Sequence, residues 1–157
     1  MFAKTPGDLV PYDALVSMSG LAFMEAIRDG TAPQPPICAV LNYRIAEVEV
    51  GCVTCRGTPE FDHCNPMGTV HGGWYGTLLD SVMACAVMTT LPRGSVYTTL
   101  EYKVNITRGI PLGTEIEAVG TVSHAGRSTG VAEGVIRGAA DGKLYATGST
   151  TCLIMEG

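Results

Sequence analysis

The chain has 157 residues, 46% of them hydrophobic and 16% charged, which is typical of one globular domain and excludes a disordered chain. A formal net charge of −5 argues against a nucleic-acid partner, because phosphate backbones bind basic surfaces. There is no basic segment followed by an apolar one at the N-terminus, and no apolar run approaches the ~20 residues that span a bilayer, so we expect no membrane partner.

The first 36 residues are predicted to be a lead-in with one short helix. Ser19 is a typical N-cap, apolar residues follow at helical spacing, and Gly30 ends the helix. The proline-rich stretch 31–36 predicts a connector, because consecutive prolines do not continue a helix. From Ala39 to Arg56 the alternation of apolar and charged side chains predicts a strand.

The middle of the chain predicts one long helix that is buried on nearly all sides. Asn65–Gly68 (NPMG) has the composition of a turn, and apolar positions then recur at helical spacing from Gly72 to about Leu91. Asp80 is the one charged side chain in that helix. An ionised carboxylate in apolar surroundings is costly unless it is paired, hydrogen-bonded or used in chemistry, so Asp80 is a candidate functional residue.

The remainder of the chain predicts four strands, near 95–108, 114–123, 128–138 and 143–155. Asp141-Gly142 is a strong hairpin signal between the last two, and His124–Arg127 (HAGR) predicts a second tight turn. An antiparallel sheet that wraps around the long helix would bury it. We therefore expect an α+β fold and a single domain over residues 1–157.

Four motifs in this chain resemble those of the hotdog-fold acyl-CoA thioesterases. They are NPMGTVHGGWYGTLLDSVMACAV, YTTLEYKVN, HAGRST and DGKLYATGSTTCLI. The similarity is greatest to the phenylacetate-pathway (PaaI-type) branch of the 4-hydroxybenzoyl-CoA thioesterase superfamily. It implies a central helix wrapped by a curved sheet, and homodimers paired edge to edge that assemble into a homotetramer. It also implies hydrolysis of a small-molecule acyl-CoA at the dimer interface, with no cofactor beyond the coenzyme A of the substrate.

Carried over position by position, the resemblance implies a catalytic set of Asn65, His71, Gly72, Asp80 and Thr99. Gly72 offers its backbone N–H to the thioester carbonyl, with Asn65 and His71 beside it, and Asp80 acts as general base or as nucleophile. Thr99 resembles the hydroxyl residue near the attacking water, and Thr98 fits almost as well. For substrate binding we expect Gly73, Arg108, Arg127 and Ser128, the arginines as contacts for the phosphates of coenzyme A.

The chemistry is consistent with these residue types. A helix N-terminus has unpaired N–H groups and a partial positive charge that suit a developing oxyanion, and glycine leaves that backbone accessible. Eight residues at ~1.5 Å each separate Gly72 from Asp80 by about 12 Å along the helix, too far for both to reach one carbonyl carbon. The sequence therefore predicts a composite site, with Gly72 from one chain and Asp80 from a two-fold-related chain.

The sequence also has features of a zinc site, of a hydratase and of a non-catalytic sensor. Cys52, Cys55, His63 and Cys64 suggest zinc, but an odd separation places Cys52 and Cys55 on opposite faces of a strand, so we expect no metal. Six cysteines without a secretory leader predict free thiols and a cytoplasmic location. Asp62–Met67 (DHCNPM) partly resembles a hotdog enoyl-CoA hydratase motif that has histidine at the place of Met67. A non-catalytic acyl-CoA sensor on the same fold is the third alternative.

Overall fold

The computed structural model describes all residues, 1–157. The helices are α1 (Tyr12–Val16), α2 (Gly20–Asp29), α3 (Pro36–Val40) and α4 (Gly72–Met88), and the strands are β1 (Tyr43–Glu49), β2 (Cys52–Gly57), β3 (Ser95–Ile106), β4 (Ile116–Ala125), β5 (Thr129–Gly138) and β6 (Leu144–Glu156). Single 3₁₀ turns occur at Pro6–Asp8 and Phe61–His63. None of the helices combines the length and the apolar character that crossing a bilayer requires.

The six strands form one antiparallel sheet in the order β1-β2-β4-β5-β6-β3. Every strand contacts α4, so the sheet curves around the helix, and register shifts in four of the strand pairs support this curvature. The buried side chains of α4 form the centre of the hydrophobic core. The predicted α+β fold, a long central helix wrapped by an antiparallel sheet, is confirmed.

The prediction of one strand from Ala39 to Arg56 is wrong. Pro36 opens the short helix α3, since proline suits the first position of a helix. The chain then forms a hairpin of β1 and β2. Gly51 makes the turn with φ of 74°, a conformation that glycine adopts without steric cost, and Val50 beside it is 68% exposed. Helix α1, which lies within the predicted lead-in, was also not predicted, because a helix of a single turn has no periodic pattern of apolar residues.

The other predicted elements are confirmed with small changes at their ends. Ser19 caps α2 by accepting a hydrogen bond from the N–H of Ala22, and Gly30 ends that helix in the left-handed conformation. Helix α4 stops at Met88 rather than near Leu91. The four C-terminal strands lie within two residues of their predicted bounds. The turn that was predicted over His124–Arg127 begins at position 126, because β4 continues to Ala125.

A row of three glycines brings α4 close to the sheet. Gly120, Gly134 and Gly148 are cross-strand neighbours on β4, β5 and β6. A Cβ atom at Gly120 would overlap the carbonyl of Val82 and lie 2.6 Å from the backbone N of Met83. Only a residue without a side chain allows the backbone of α4 to approach the sheet this closely.

We expect Gly120→Ala to lower the free energy of unfolding by roughly 3 kcal/mol, the upper part of the range for an overpacked core, because a rigid helix backbone must move. The measurement is urea unfolding followed by circular dichroism. Gly109→Ala is the matched control, since nothing lies within 4 Å of a Cβ at Gly109, and it should stay within about 0.5 kcal/mol of the parent. Equal effects of both substitutions would contradict the close-approach argument.

Candidate active site

Asp80 lies in the middle of α4, with its side chain half-buried and facing strand β3. The hydroxyl of Thr99 on β3 donates to Asp80 Oδ1 at 2.9 Å. Burial raises the pKa of Asp80 above its ordinary value of 3.8, and the hydrogen bond from Thr99 partly offsets that shift. The arrangement gives a carboxylate that is held in place and is more basic than an exposed one.

The structure distinguishes between the candidates near Asp80. Thr99 contacts the carboxylate, whereas Thr98 points to the exposed face of β3. The neighbouring hydroxyl on the helix, Thr77, donates to the carbonyl of Gly73 and not to Asp80. A hydrogen bond within its own helix therefore does not account for the presence of Asp80.

The N-terminus of α4 is formed by the His-Gly-Gly step. His71 is the N-cap, and its Nδ1 accepts a hydrogen bond from the N–H of Gly73 at 2.8 Å, which places the ring proton on Nε2. The N–H of His71 donates to the carbonyl of His63 at 2.9 Å. The N–H of Gly72 makes no hydrogen bond within the chain, and Gly72 is exposed. This N–H is thus the free donor at the positive end of the helix.

The structure shows the local contacts of Gly73 and Asn65, which the resemblance places in the substrate-binding and catalytic sets. Because the N–H of Gly73 is bonded to His71, Gly73 contributes to this surface by lacking a side chain rather than as a donor. Asn65 organises its own loop: Oδ1 accepts from the N–H groups of Met67 and Thr69, and Nδ2 donates to Thr69 Oγ1 at 2.8 Å. One amide hydrogen of Asn65 stays unbonded. Asn65 therefore fixes the loop that leads into α4.

Two backbone clamps behind this helix end were not predicted. His63 is buried, with Nδ1 accepting from the N–H of Glu60 and Nε2 donating to the carbonyl of Val40. Trp74 donates from Nε1 to the carbonyl of Leu41 at 2.9 Å. Both acceptors are at the end of α3, which the sequence did not reveal, so no pattern could have suggested these partners. The clamps anchor the loop and the first turn of α4 to the same point.

The predicted substrate-binding arginines lie at opposite ends of α4. Arg108 follows β3 near the N-terminus of the helix, where the side chain of Ile106 is next to Gly72. Arg127 and Ser128 are in the turn between β4 and β5, beside the segment that follows the C-terminus of α4, and line a pocket of about 430 Å³ there. Both arginines are exposed and neither forms an ion pair. One chain does not bring them together.

The cysteines and histidines are also dispersed. No three His, Cys, Asp or Glu side chains are grouped as ligands for a metal ion. Cys55 is buried whereas Cys52 is half-buried, and all six cysteines are free thiols.

The raised pKa of Asp80 is directly measurable. We expect the titration midpoint of its carboxyl carbon in ¹³C NMR to lie above 3.8, and Thr99→Val to move it higher, because the lost hydrogen bond favoured the ionised form. Asp29, whose pKa is lowered by the adjacent Arg28 guanidinium, is the internal control and should not respond to that substitution. A midpoint that Thr99→Val leaves unchanged would contradict the assigned contact.

A protein-family model and a known relative both identify thioesterases as the proteins that this chain resembles. The family model described as "Thioesterase superfamily" matches residues 67–145, a segment that contains Gly72, Asp80 and Thr99. Human acyl-coenzyme A thioesterase 13 is 30% identical over 101 residues, which is 64% of this chain and 71% of the human protein.

Solved structures agree with that match. A thioesterase family protein from Silicibacter pomeroyi superposes with a TM-score of 0.75 at 26% identity, covering 86% of this chain and 99% of that one. A putative thioesterase from Ralstonia eutropha JMP134, described as related to phenylacetic acid degradation, gives a TM-score of 0.75 at 28% identity, covering 83% and 98%. The match to the family model, the similarity to the human enzyme and the shared fold together show that the chain belongs to the thioesterase superfamily.

Proposed function

We propose that this protein hydrolyses an acyl- or aryl-CoA thioester to the free acid and coenzyme A. One observation carries the proposal: a single straight helix presents a half-buried carboxylate held by a threonine and, two turns away, a free N–H at its positive end. These are the two groups that thioester hydrolysis requires, a base or nucleophile and an oxyanion donor. The similarity to acyl-coenzyme A thioesterase 13 and to a protein related to phenylacetic acid degradation supports a CoA ester and the PaaI-type branch.

In the proposed reaction, water attacks the carbonyl carbon and transfers a proton to Asp80. The electron pair of the carbonyl moves to oxygen, where the N–H of Gly72 stabilises the negative charge. Collapse of this intermediate breaks the C–S bond, and the proton returns to the sulfur of coenzyme A. If Asp80 attacks directly, the same N–H stabilises the same oxygen, coenzyme A leaves as the thiolate and takes up a proton, and water then hydrolyses the anhydride between the acyl group and Asp80. In either case Asp80 must be ionised. Arg108, Arg127 and Ser128 are the proposed contacts for the phosphates of coenzyme A.

The two groups come from different subunits in this proposal. Helix α4 is continuous from Gly72 to Met88, so Asp80 lies about 12 Å along the axis from Gly72 of its own chain. Gly76 is midway between them, and the ring of Tyr102 on β3 lies against it. A two-fold axis beside Gly76 would therefore bring Asp80 next to Gly72 of the partner subunit.

The edge strand β3 has the features of a surface at which a second subunit pairs across such an axis. Strand β3 has no strand on its outer side, and three of its apolar side chains, Leu100, Tyr102 and Ile106, are 57%, 46% and 48% exposed. An unpaired, apolar edge strand is a surface for pairing with a second copy. We propose a homodimer through β3, with two such dimers forming a homotetramer. A cytoplasmic location is part of the proposal, since six unpaired thiols fit a reducing compartment.

The direct test is release of free thiol from a panel of alkyl- and aryl-CoA thioesters by the purified protein. Thiol release with stoichiometric acid supports hydrolysis. A change in enoyl absorbance without thiol release would identify a hydratase instead, and saturable binding without either would identify a sensor. No observation favours the hydratase, because Met67, at the place of the histidine in that motif, is 82% exposed on the loop.

Mixed dimers test the shared site. We expect co-expression of Asp80→Asn and Gly72→Pro chains to restore about a quarter of parental activity, although each variant alone is nearly inactive. Half of the randomly paired dimers are mixed, and each mixed dimer has both defects in one site and neither in the other. The measurement is the thioesterase activity of the whole co-expressed pool, and mixed dimers isolated from it through two different affinity tags should have about half of the parental activity. Mixed dimers no more active than the two parents would show that each site belongs to one chain.

A further inference from the structure

Tyr102 lies in the middle of the groove between α4 and β3, with its ring against the backbone of Gly76. A Cβ atom at Gly76 would be 3.3 Å from Cε2 and 3.4 Å from the hydroxyl oxygen of Tyr102. This is closer than an ordinary van der Waals contact, so the phenol lies where it does because Gly76 has no side chain. The hydroxyl of Tyr102 is thereby placed on the surface of the helix that carries the proposed site.

Gly72, Gly76 and Asp80 lie on one face of α4. Each is four residues from the next, which corresponds to about 6 Å along the helix axis and roughly 40° around it. A helical side chain leans toward the N-terminus, so the carboxylate of Asp80 reaches back toward the turn that contains Gly76. The same carboxylate is held from β3, the strand that carries Tyr102. The carboxylate and the phenol hydroxyl therefore face the same part of the groove.

Both polar groups have hydrogen-bonding capacity that the chain does not use. Asp80 Oδ1 accepts from Thr99, whereas Oδ2 has no partner in the chain and is accessible to solvent. The hydroxyls of the buried Tyr43 and Tyr75 are bonded within the chain, but the hydroxyl of Tyr102 is not. A bound water molecule needs two to four polar partners. Asp80 Oδ2 and the hydroxyl of Tyr102 supply two.

We propose that Tyr102 is a further catalytic residue, whose hydroxyl holds the attacking water together with Asp80 Oδ2. The inference rests on the proposed function, since it concerns the water that hydrolyses the thioester. Oδ2 accepts one hydrogen of this water, which is the proton transferred in the reaction, and the oxygen of Tyr102 accepts the other. A lone pair of the water oxygen is then left to attack the carbonyl carbon. Tyr102 neither gains nor loses a proton, so the balance of the reaction is unchanged.

This arrangement decides two points about the site. A carboxylate oxygen that is bonded to the attacking water is not directed at the carbonyl carbon, so Asp80 acts as general base rather than as nucleophile. Tyr102 is 46% exposed in one chain, and pairing of β3 with a partner would remove its hydroxyl from bulk water. Because buried hydroxyls keep a hydrogen-bond partner, the held water satisfies it. Thr99, Asp80 and Tyr102 of one chain thus form the water-activating half of a shared site.

The first experiment is the steady-state kinetics of Tyr102→Phe, which keeps the ring against Gly76 and removes only the hydroxyl. We expect kcat to fall about tenfold, equivalent to ~1.4 kcal/mol, with KM little changed. Tyr12→Phe is the matched control, because Tyr12 is 57% exposed on α1 and lies on neither wall of the groove, and it should keep the parental kcat. A Tyr102→Phe enzyme with the parental kcat would overturn the inference while leaving thioester hydrolysis intact.

Mixed dimers identify the half of the site to which the hydroxyl belongs. Mixed dimers of Tyr102→Phe and Gly72→Pro chains should have one intact site, and therefore about half of the parental activity. Mixed dimers of Tyr102→Phe and Asp80→Asn chains should have no intact site, and should be no more active than Tyr102→Phe alone. Recovery in the second combination but not in the first would place the hydroxyl with the oxyanion donor and overturn the assignment.

A high-resolution crystal structure separates the water site from the reaction. It should show an ordered water about 2.8 Å from both Asp80 Oδ2 and the hydroxyl oxygen of Tyr102, and this water should be lost in Tyr102→Phe. If the water is present but no thioester is hydrolysed, the proposed function fails and the water site stands. If thioesters are hydrolysed but no water bridges the two groups, the assignment of Tyr102 fails alone.

Discussion

Replacing Asp80 with asparagine should lower kcat by at least ~100-fold, with KM little changed, because the amide can neither accept the proton of the attacking water nor attack the carbonyl. The replacement keeps the shape of the side chain and the acceptor oxygen for the hydroxyl of Thr99. The fold should also be retained. Steady-state kinetics on the best acyl-CoA substrate measure the change in kcat. Circular dichroism on the same preparation checks that the fold is retained.

Stability gives an independent readout of the same substitution. Because the folded pKa of Asp80 is raised, the folded state binds more protons than the unfolded state between pH 3.8 and that raised value. This group therefore lowers stability as pH rises through that window, and Asp80→Asn should be no less stable than the parent at pH 7. The exposed Asp13→Asn is the control for loss of charge alone. An Asp80→Asn enzyme with near-parental kcat would make Asp80 structural and refute the mechanism.

The second large effect is expected for Gly72→Pro, which deletes the proposed oxyanion donor. Loss of one such donor costs roughly 2.7–4 kcal/mol of transition-state stabilisation, or about 100- to 1,000-fold in kcat. Proline is tolerated at the first position of a helix, and the N–H of Gly72 bonds to nothing in the chain, so the helix should form. The fall in kcat should appear with little change in the unfolding transition.

Gly72→Ala is the matched comparison. A Cβ there would be 3.6 Å from Ile106 Cδ1, an ordinary contact, so the chain itself has room for alanine. This variant keeps the N–H and adds only a methyl group where the substrate is proposed to approach. It should therefore affect KM more than kcat, whereas Gly72→Pro affects kcat. If alanine and proline give the same kcat, the N–H is not the oxyanion donor.

The long helix and the four C-terminal strands were predictable because each has a continuous pattern that packing reinforces. The region from Pro36 to Gly57 was not. Its apolar alternation continued across a hairpin turn, and the residue that makes the turn, Gly51, is inconspicuous among the neighbouring strand residues. The helix α3 depends on a proline at its start, in a stretch whose composition is typical of a connector.

Some residues of the candidate site were likewise predictable from the sequence, and others were not. Asp80 and Gly72 stand out in the sequence because a lone charge and paired glycines are unusual around a buried helix. The choice between Thr98 and Thr99 needed the structure, because the pairing of β3 with β6 skips Leu100 and breaks the simple alternation of faces. The clamps of His63 and Trp74 bind backbone carbonyls, which every residue has, so they leave no trace in the sequence.

The glycine row under α4 has a consequence for how this enzyme can diversify. With the helix backbone already against the sheet at Gly120, α4 cannot move in that direction to admit a larger substrate. Adaptation is therefore confined to the opposite side, where α1 and α2 face the helix and carry no part of the proposed catalytic set. Residues 1–36 can then change while the reacting atoms keep their positions. Lineages of this fold that retain the glycines should differ most in that N-terminal segment.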